Sequence, residues 1–290
     1  MNQTTKTQIT NGAKLFVDFL LNEGVEKIFG YPGAAVLPIY DELGKLNKIK
    51  HYLCRHEQAA VHAADGYARV TKKAGVVLAT SGPGASNTIT GILNAYADKS
   101  PLVVIVGQCE ELGHNNFQES DLSSIAQSCT KNTYLITKEK DIIPMLSDAF
   151  RTAQKAPMGP VVVSVVKSIL TKTFEHDAIE KKYIPQFNVA AKQSHILQAI
   201  DLLKNANRPA ILVGGGCYDT SSLVREFINI SNFPVINTLM GKGVVEDYSL
   251  GMIGINGSNL ANSIIEESDV LLVLGSRLDT RITGNFEKYL

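Results

Sequence analysis

The sequence predicts an α/β protein: a doubly wound parallel sheet, followed by a second, Rossmann-like α/β domain that is expected to be incomplete. Three observations carry this. Short continuous apolar runs, such as Leu102-Val103-Val104-Ile105-Val106, Val161-Val162-Val163 and Val270 to Leu274, have the composition of strands buried on both faces. Helical stretches separate the apolar runs at the pitch of a parallel sheet with crossover helices. Glycine turns (Gly30-Tyr31-Pro32-Gly33, Gly82-Pro83-Gly84, Gly214-Gly215-Gly216) follow apolar runs, at the carboxyl ends of strands where open α/β sheets bind ligands.

Asn11 to Glu23 reads as an amphipathic helix, because Leu15, Phe16, Phe19 and Leu20 recur at helical spacing, with Thr10 or Asn11 as cap and Gly24 just past its end. Val25 to Phe29 is a short strand entering the Tyr31-Pro32-Gly33 turn, whose proline and glycines select its φ angles. Val36 to Leu46 is a second helix, and Lys50 to Cys54 leads into Arg55-His56-Glu57-Gln58 and a small-residue helix. Gly75 to Ala79 is a strand, the Gly82-Pro83-Gly84 turn follows it, and a helix is expected from about Asn87 to Asp98. After the strand at 102–106, residues 107–121 are polar and helix-poor, and a long loop after a buried strand is usually functional. A helix over Asp141 to Gln154 and the strand Val161 to Val166 complete a first domain, 1–173.

Residues 174–193 lose periodicity and gain charge, and read as a linker. The second domain, 194–290, opens with a helix to Lys204, then a strand at Pro209 to Val213 and the Gly214-Gly215-Gly216 turn. A helix at Ser221 to Ser231, a strand at Pro234 to Asn237, a helix at Ser258 to Glu267 and the strand ending at Gly275-Ser276-Arg277 follow.

Composition excludes some classes of function. With 28 basic and 28 acidic residues in 290, there is no electrostatic basis for nucleic-acid binding. The longest apolar runs are strand-sized, far short of the roughly 20 residues that span a bilayer, so no membrane partner is expected. Met1 to Thr10 is polar without an apolar core, and the four cysteines (Cys54, Cys109, Cys129, Cys217) lack metal-ligand spacing. Both features fit free thiols in a reducing cytoplasm, and no metal ligand is assigned.

Taken alone, Glu57 at a strand-to-helix junction reads as a partner of the helix dipole. The catalytic alternative needs a ring nitrogen with which the carboxyl can share a proton. Gly82-Pro83-Gly84 could cradle a phosphate or approach a flat ring, but it meets neither the dinucleotide fingerprint nor the P-loop. Gly214-Gly215-Gly216 is closer to a dinucleotide-type turn, or is a tight structural turn. His114 reads as a solvated loop residue, and Ser81 lacks the nucleophile elbow.

In combination, the motifs resemble the thiamine-diphosphate-dependent decarboxylases and carboligases, and most of all the acetolactate (acetohydroxyacid) synthase large catalytic subunits. The matching text runs Phe29-Gly30-Tyr31-Pro32-Gly33, Arg55-His56-Glu57-Gln58-Ala59-Ala60, Gly66-Tyr67-Ala68-Arg69, Thr80-Ser81-Gly82-Pro83-Gly84-Ala85-Ser86-Asn87 and Phe117-Gln118-Glu119. In the second domain it is Val213-Gly214-Gly215-Gly216-Cys217, Asn237-Thr238-Leu239-Met240-Gly241 and Arg281-Ile282-Thr283-Gly284. The resemblance implies pyrimidine-binding, central and diphosphate-binding domains. The last holds magnesium through a Gly-Asp-Gly motif, which does not occur here. The 290-residue chain alone is therefore expected to show no turnover.

Carried over, the resemblance makes Glu57 the acid that bonds the pyrimidine of thiamine diphosphate, with Gln118 also catalytic. Tyr31, Pro32, Gly33, Thr80, Pro83 and Asn87 would line the pyrimidine side. Ala34, Phe117, Gln118 and Lys167 would face the substrate. Gly214, Gly215, Gly216, Thr238, Leu239, Met240 and Arg277 match contacts to a FAD that does no redox work. The implied activity decarboxylates pyruvate and adds the resulting enamine to a second 2-keto acid, as branched-chain amino-acid biosynthesis requires. The implied assembly is a homodimer or homotetramer with a regulatory small subunit. The sequence departs from the family at Ala34 (a glycine), at Cys109-Glu110-Glu111 (a Val-Pro), at Pro157-Met158-Gly159-Pro160 (an Arg-Pro-Gly-Pro), and at Ile255-Asn256-Gly257 (a Met-His-Gly). Other readings are a related carboligase with another 2-keto acid, or an inactive remnant.

Overall fold

A computed structural model describes residues 8–109, 116–176 and 190–284. The chain divides into two compact units, Met1–Asn188 and Val189–Leu290.

The first unit contains strands β1 (Gln8–Asn11), β2 (Lys27–Gly30), β3 (Lys50–Leu53), β4 (Gly75–Ala79), β5 (Leu102–Gln108), β6 (Asn132–Ile136), β7 (Pro160–Val166) and β8 (Thr173–His176). Six of them form one sheet in the order β3-β2-β4-β5-β7-β6, with every neighbouring pair parallel. This is the doubly wound sheet the sequence predicts. Strand periodicity divides its side chains between two cores. Val103 and Ile105 of β5 face one, and Leu102, Val104 and Val106 face the other. Helices Gly12–Asn22, Leu37–Leu46 and Ile142–Gln154 cover the first core. Helices Glu57–Thr71, Ile89–Asp98 and Leu122–Ala126 cover the second.

The helix Gly12–Asn22 starts where Asn11 accepts a hydrogen bond from the Lys14 N–H, 2.8 Å away. Asn11→Ala should lower stability by about 1 kcal/mol, read as the denaturant midpoint of the first unit, because that N–H then loses its cap.

Three elements differ from the sequence reading. Asn132–Ile136 is an edge strand beside β7, with only Tyr134 and Ile136 buried, so it shows no continuous apolar run. The helix expected from Asn87 is two pieces, Pro83–Ser86 and Ile89–Asp98. Phe174, read as the start of the linker, lies in β8, which pairs antiparallel with β1. Residues 177–189 of the expected linker lie outside the described residues.

Four carboxylates of this unit, Glu26, Asp65, Glu139 and Asp148, sit below their usual range, and the two with partly buried partners are Asp148 and Asp65. Hydrogen bonding from the Tyr134 hydroxyl, 2.7 Å away, and from Arg151 holds Asp148 down. Burial pushes Asp65 up, but hydrogen bonds from Arg69 and Asn94 outweigh it. Both pairings favour the charged form, so their stabilisation is present above the unfolded carboxylate pKa and is lost as pH falls through the depressed folded values. The denaturant midpoint should be flat near neutrality and fall below about pH 4. Asp148→Asn should reduce that slope.

The second unit carries β9 (Pro209–Val213), β10 (Val235–Asn237), β11 (Ser249–Met252) and β12 (Val270–Leu274) in a parallel sheet ordered β11-β10-β9-β12. Chain order reverses at β9, so the Gly214-Gly215-Gly216 turn lies at the switch point, where ligands bind in such folds. β11, Ser-Leu-Gly-Met, is too short to signal a strand, and its glycine interrupts what apolar pattern it has. Among the described residues, no helix is long and apolar enough to cross a membrane.

Candidate functional site

The site is built where β2 and β4 end. Gly30 closes β2 against β4, and a Cβ there would stand 2.2 Å from the Leu78 carbonyl oxygen. That oxygen accepts hydrogen bonds from the Tyr31 N–H and the Tyr40 hydroxyl, both at 3.3 Å. The chain then turns through Pro32 and Gly33. A Cβ on Gly33 would lie 2.5 Å from the Thr80 Cβ, so this turn seats directly on the end of β4. The Thr80 hydroxyl accepts a hydrogen bond from the Ala35 N–H at 3.4 Å.

β4 continues into Thr80-Ser81-Gly82, and Gly82 has φ 59°. A Cβ on Gly82 would lie 2.6 Å from the Gln118 Cβ and 2.7 Å from its carbonyl oxygen. Gln118 itself has φ 57°, in the left-handed region that few residues with a side chain adopt. Gln118 is therefore pressed onto the Gly82 turn, with Phe117 almost fully exposed beside it. His114 lies outside the described residues.

Glu57 enters from the neighbouring helix. The His56 Nδ1 accepts the Gln58 N–H at 3.2 Å and caps Glu57–Thr71, which fixes Glu57 in its first turn. Its residue is only 6% exposed. The Asn87 side-chain amide donates to Glu57 Oε2 at 3.0 Å. The other oxygen, Oε1, faces Gly84, where a Cβ would approach to 3.0 Å. Among the described residues, no side chain donates to Oε1. The result is a buried carboxyl with one oxygen held and one presented beside a bare glycine. It can exchange a hydrogen bond or a proton with a flat nitrogen ring.

Thr80, Gly33, Gly84, Glu57 and Asn87 are thus in contact, and Gln118 joins them through Gly82. Tyr31, Pro32, Ala34 and Pro83 line the exposed rim of the same turns. Lys167 begins the helix Lys167–Thr171 at the carboxyl end of β7 and is exposed. Sequence reasoning missed the Tyr40–His51 pair behind Gly30, joined at 3.2 Å between hydroxyl and Nε2. Burial pushes the Tyr40 hydroxyl up, with Cys54 and Glu57 adding to it, and burial pushes His51 down. No local pattern marks this pair, because it forms only where the helix Leu37–Leu46 packs against the strand Lys50–Leu53.

In the second unit, the three turns after β9, β10 and β12 converge. A Cβ on Gly215 would lie 2.9 Å from the Met240 Cβ, and one on Gly214 would lie 2.3 Å from the Gly275 carbonyl oxygen. Gly216 packs on Gly275 as well. Thr238 is buried and caps its turn by accepting the Gly241 N–H at 3.1 Å. Leu239, Met240 and Arg277 stay exposed beside it. This surface combines the apolar side chains of Leu239 and Met240 with Arg277, which pairs with Asp279 at 3.8 Å.

Residues 10–125 match the model of the thiamine pyrophosphate enzyme N-terminal TPP binding domain, and residues 196–290 match that of the thiamine pyrophosphate enzyme central domain. The chain is 43% identical over 290 residues to the acetolactate synthase large subunit of Haemophilus influenzae, an alignment covering 96% of this chain and 51% of the relative. It is 42% identical over 293 residues to the acetolactate synthase large subunit of Buchnera aphidicola from Schizaphis graminum, covering 97% and 51%. The acetolactate synthase isozyme 3 large subunit of Escherichia coli is 40% identical over 295 residues, covering 97% and 51%. The chain spans about half the length of these curated relatives. It belongs to the thiamine pyrophosphate enzymes, and carries their N-terminal cofactor-binding and central domains.

Proposed function

We propose that this chain is the pyrimidine-binding and central part of an acetolactate synthase large subunit. In this reading it forms acetolactate or its homologue from pyruvate and a second 2-keto acid. The observation that carries the reading is the buried Glu57, held by Asn87 on one oxygen and open at Gly84 on the other. The relatives' names support the reaction class.

Thiamine diphosphate, when bound, supplies a thiazolium electron sink for the charge left by decarboxylation. Glu57 holds a proton at Oε1 for the ring nitrogen of the aminopyrimidine. Asn87 keeps the carboxyl from rotating. Tyr31, Pro32, Gly33, Thr80 and Pro83 present flat, close-packed backbone to the ring. Gln118 and Phe117, with Ala34 and Lys167, bind and orient the 2-keto acids. Gly214, Gly215, Gly216, Thr238, Leu239, Met240 and Arg277 hold a non-redox FAD. Magnesium and the diphosphate are held through a Gly-Asp-Gly motif, which does not occur within residues 1–290. The working assembly is a cytoplasmic homodimer or homotetramer with a regulatory small subunit.

The test supplies pyruvate, thiamine diphosphate and magnesium to the chain, alone and together with the diphosphate-binding half of the Haemophilus influenzae relative. Acetolactate from the mixture, none from the chain alone and at least about a hundredfold less with Glu57→Gln is the expected pattern. Failure of every folded combination to produce acetolactate would overturn the proposal.

A further inference from the structure

Two helices on one face of the first sheet carry the two ends of the Glu57–Asn87 hydrogen bond. Glu57 opens Glu57–Thr71, and Asn87 lies two residues before the start of Ile89–Asp98. Their contacts form a ladder whose rungs are one helical turn apart. The first rung is Asn87 Nδ2 to Glu57 Oε2 at 3.0 Å. At the second, Gly91 packs so closely that a Cβ there would stand 2.6 Å from the Val61 Cβ. At the third, Asn94 Nδ2 donates to Asp65 Oδ2 at 3.1 Å. At the fourth, Arg69 Nη2 donates to Asp98 Oδ2 at 2.7 Å. Arg69 also grips Asp65 with Nε at 2.8 Å and Nη2 at 3.0 Å. Residues 57, 61, 65 and 69 share one stripe of the helix, because a spacing of four returns to the same face.

The rungs differ in what they fix. Contact at Gly91 and Val61 is dispersion, which sets how far apart the helices lie but resists lengthwise sliding poorly. A guanidinium forked onto a carboxylate is directional and resists sliding. Asp65 is only 5% exposed, so its charge is bound to Arg69 rather than to water. Arg69 is in turn shared with Asp98 on the other helix.

We propose that Asp65, Arg69, Asn94 and Asp98 are positioning residues: they set the lengthwise register of the two helices, and so keep Asn87 on the Glu57 carboxylate. Their importance for catalysis rests on the cofactor reading above. The test does not, because it reads the Glu57–Asn87 hydrogen bond with no cofactor present.

The experiment uses 15N-labelled 1–290 and follows the Asn87 side-chain amide by NMR, with Glu57→Ala giving the signal position when the bond is absent. Asp65→Ala/Arg69→Ala removes both charges together, so neither is left buried alone. It should move the Asn87 signals most of the way to the Glu57→Ala position. In that background, the effect of Asn87→Ala on the unfolding constant of the first unit should shrink by about threefold or more, because residues that act through one another are not additive. Asp98→Ala leaves the Asp65–Arg69 pair in place and should move the signals in the same direction, by less. A folded double variant with unmoved Asn87 signals and additive effects overturns the proposal. Should the double variant not fold, unmoved signals in Asp98→Ala overturn it instead. Loss of acetolactate formation in a protein whose Asn87 signals are intact counts against the cofactor reading, not against the clamp.

Discussion

Glu57→Gln should lower acetolactate formation by about 10²–10⁴-fold, the range of positioned proton transfer, in any assembly that joins this chain to a diphosphate-binding half. The substitution keeps the side-chain shape and an oxygen for Asn87. It removes the group that can hold or give up a proton at Oε1, beside Gly84. Steric disruption is therefore a poor explanation for a loss of that size. The fold should persist with a denaturant midpoint near that of the parent, which separates a chemical effect from a packing effect. Steady-state rates with saturating thiamine diphosphate, magnesium and pyruvate provide the measurement. A variant with near-parental rate would remove Glu57 from the proton path.

Gly30→Ala should destabilise the first unit by about 3 kcal/mol, the upper end of the range for forcing atoms into a packed interior. The added Cβ meets the Leu78 carbonyl oxygen at 2.2 Å and the Tyr40 hydroxyl at 2.7 Å. A flexible side chain could move aside, but a carbonyl within a parallel β-ladder cannot move without breaking its neighbours' bonds. The same oxygen accepts from the Tyr31 N–H, so the strain reaches the Tyr31-Pro32-Gly33 turn and through it Thr80. Gly24→Ala is the control for glycine loss in general, since nothing lies within 4 Å of a Cβ at Gly24, although its φ of 76° still disfavours a side chain. Chemical denaturation of both variants, followed through the first unit, decides between a local clash and a generic effect.

The sheet was legible because its central strands are apolar at nearly every position, Gln108 and Ser164 apart. Gly75–Ala79, Leu102–Gln108 and Pro160–Val166 are buried at every position, and such runs carry a strand signal without alternation. The edges were not. Asn132–Ile136 and Ser249–Met252 are short and only partly buried, and β1 and β8 are identified only by pairing with each other across the unit. At the site, Glu57 and Asn87 could be named from motifs, but their bond depends on two helices meeting in register. The Gly82–Gln118 seat was illegible for the same reason: it joins positions far apart in sequence through a backbone approach that only a missing Cβ permits. Asp65 and Arg69 left a faint local sign, opposite charges four residues apart on a helix. Nothing local distinguishes such a buried clamp from an ordinary surface pair.

Saturation-transfer NMR of thiamine diphosphate with 1–290, comparing the parent with Glu57→Gln, reads the pyrimidine site without any turnover. The aminopyrimidine protons should receive more saturation than the thiazolium protons in the parent, and Glu57→Gln should remove most of that difference. Equal saturation of both rings, unchanged by Glu57→Gln, would contradict the assignment of the Glu57–Asn87 turn as the pyrimidine site.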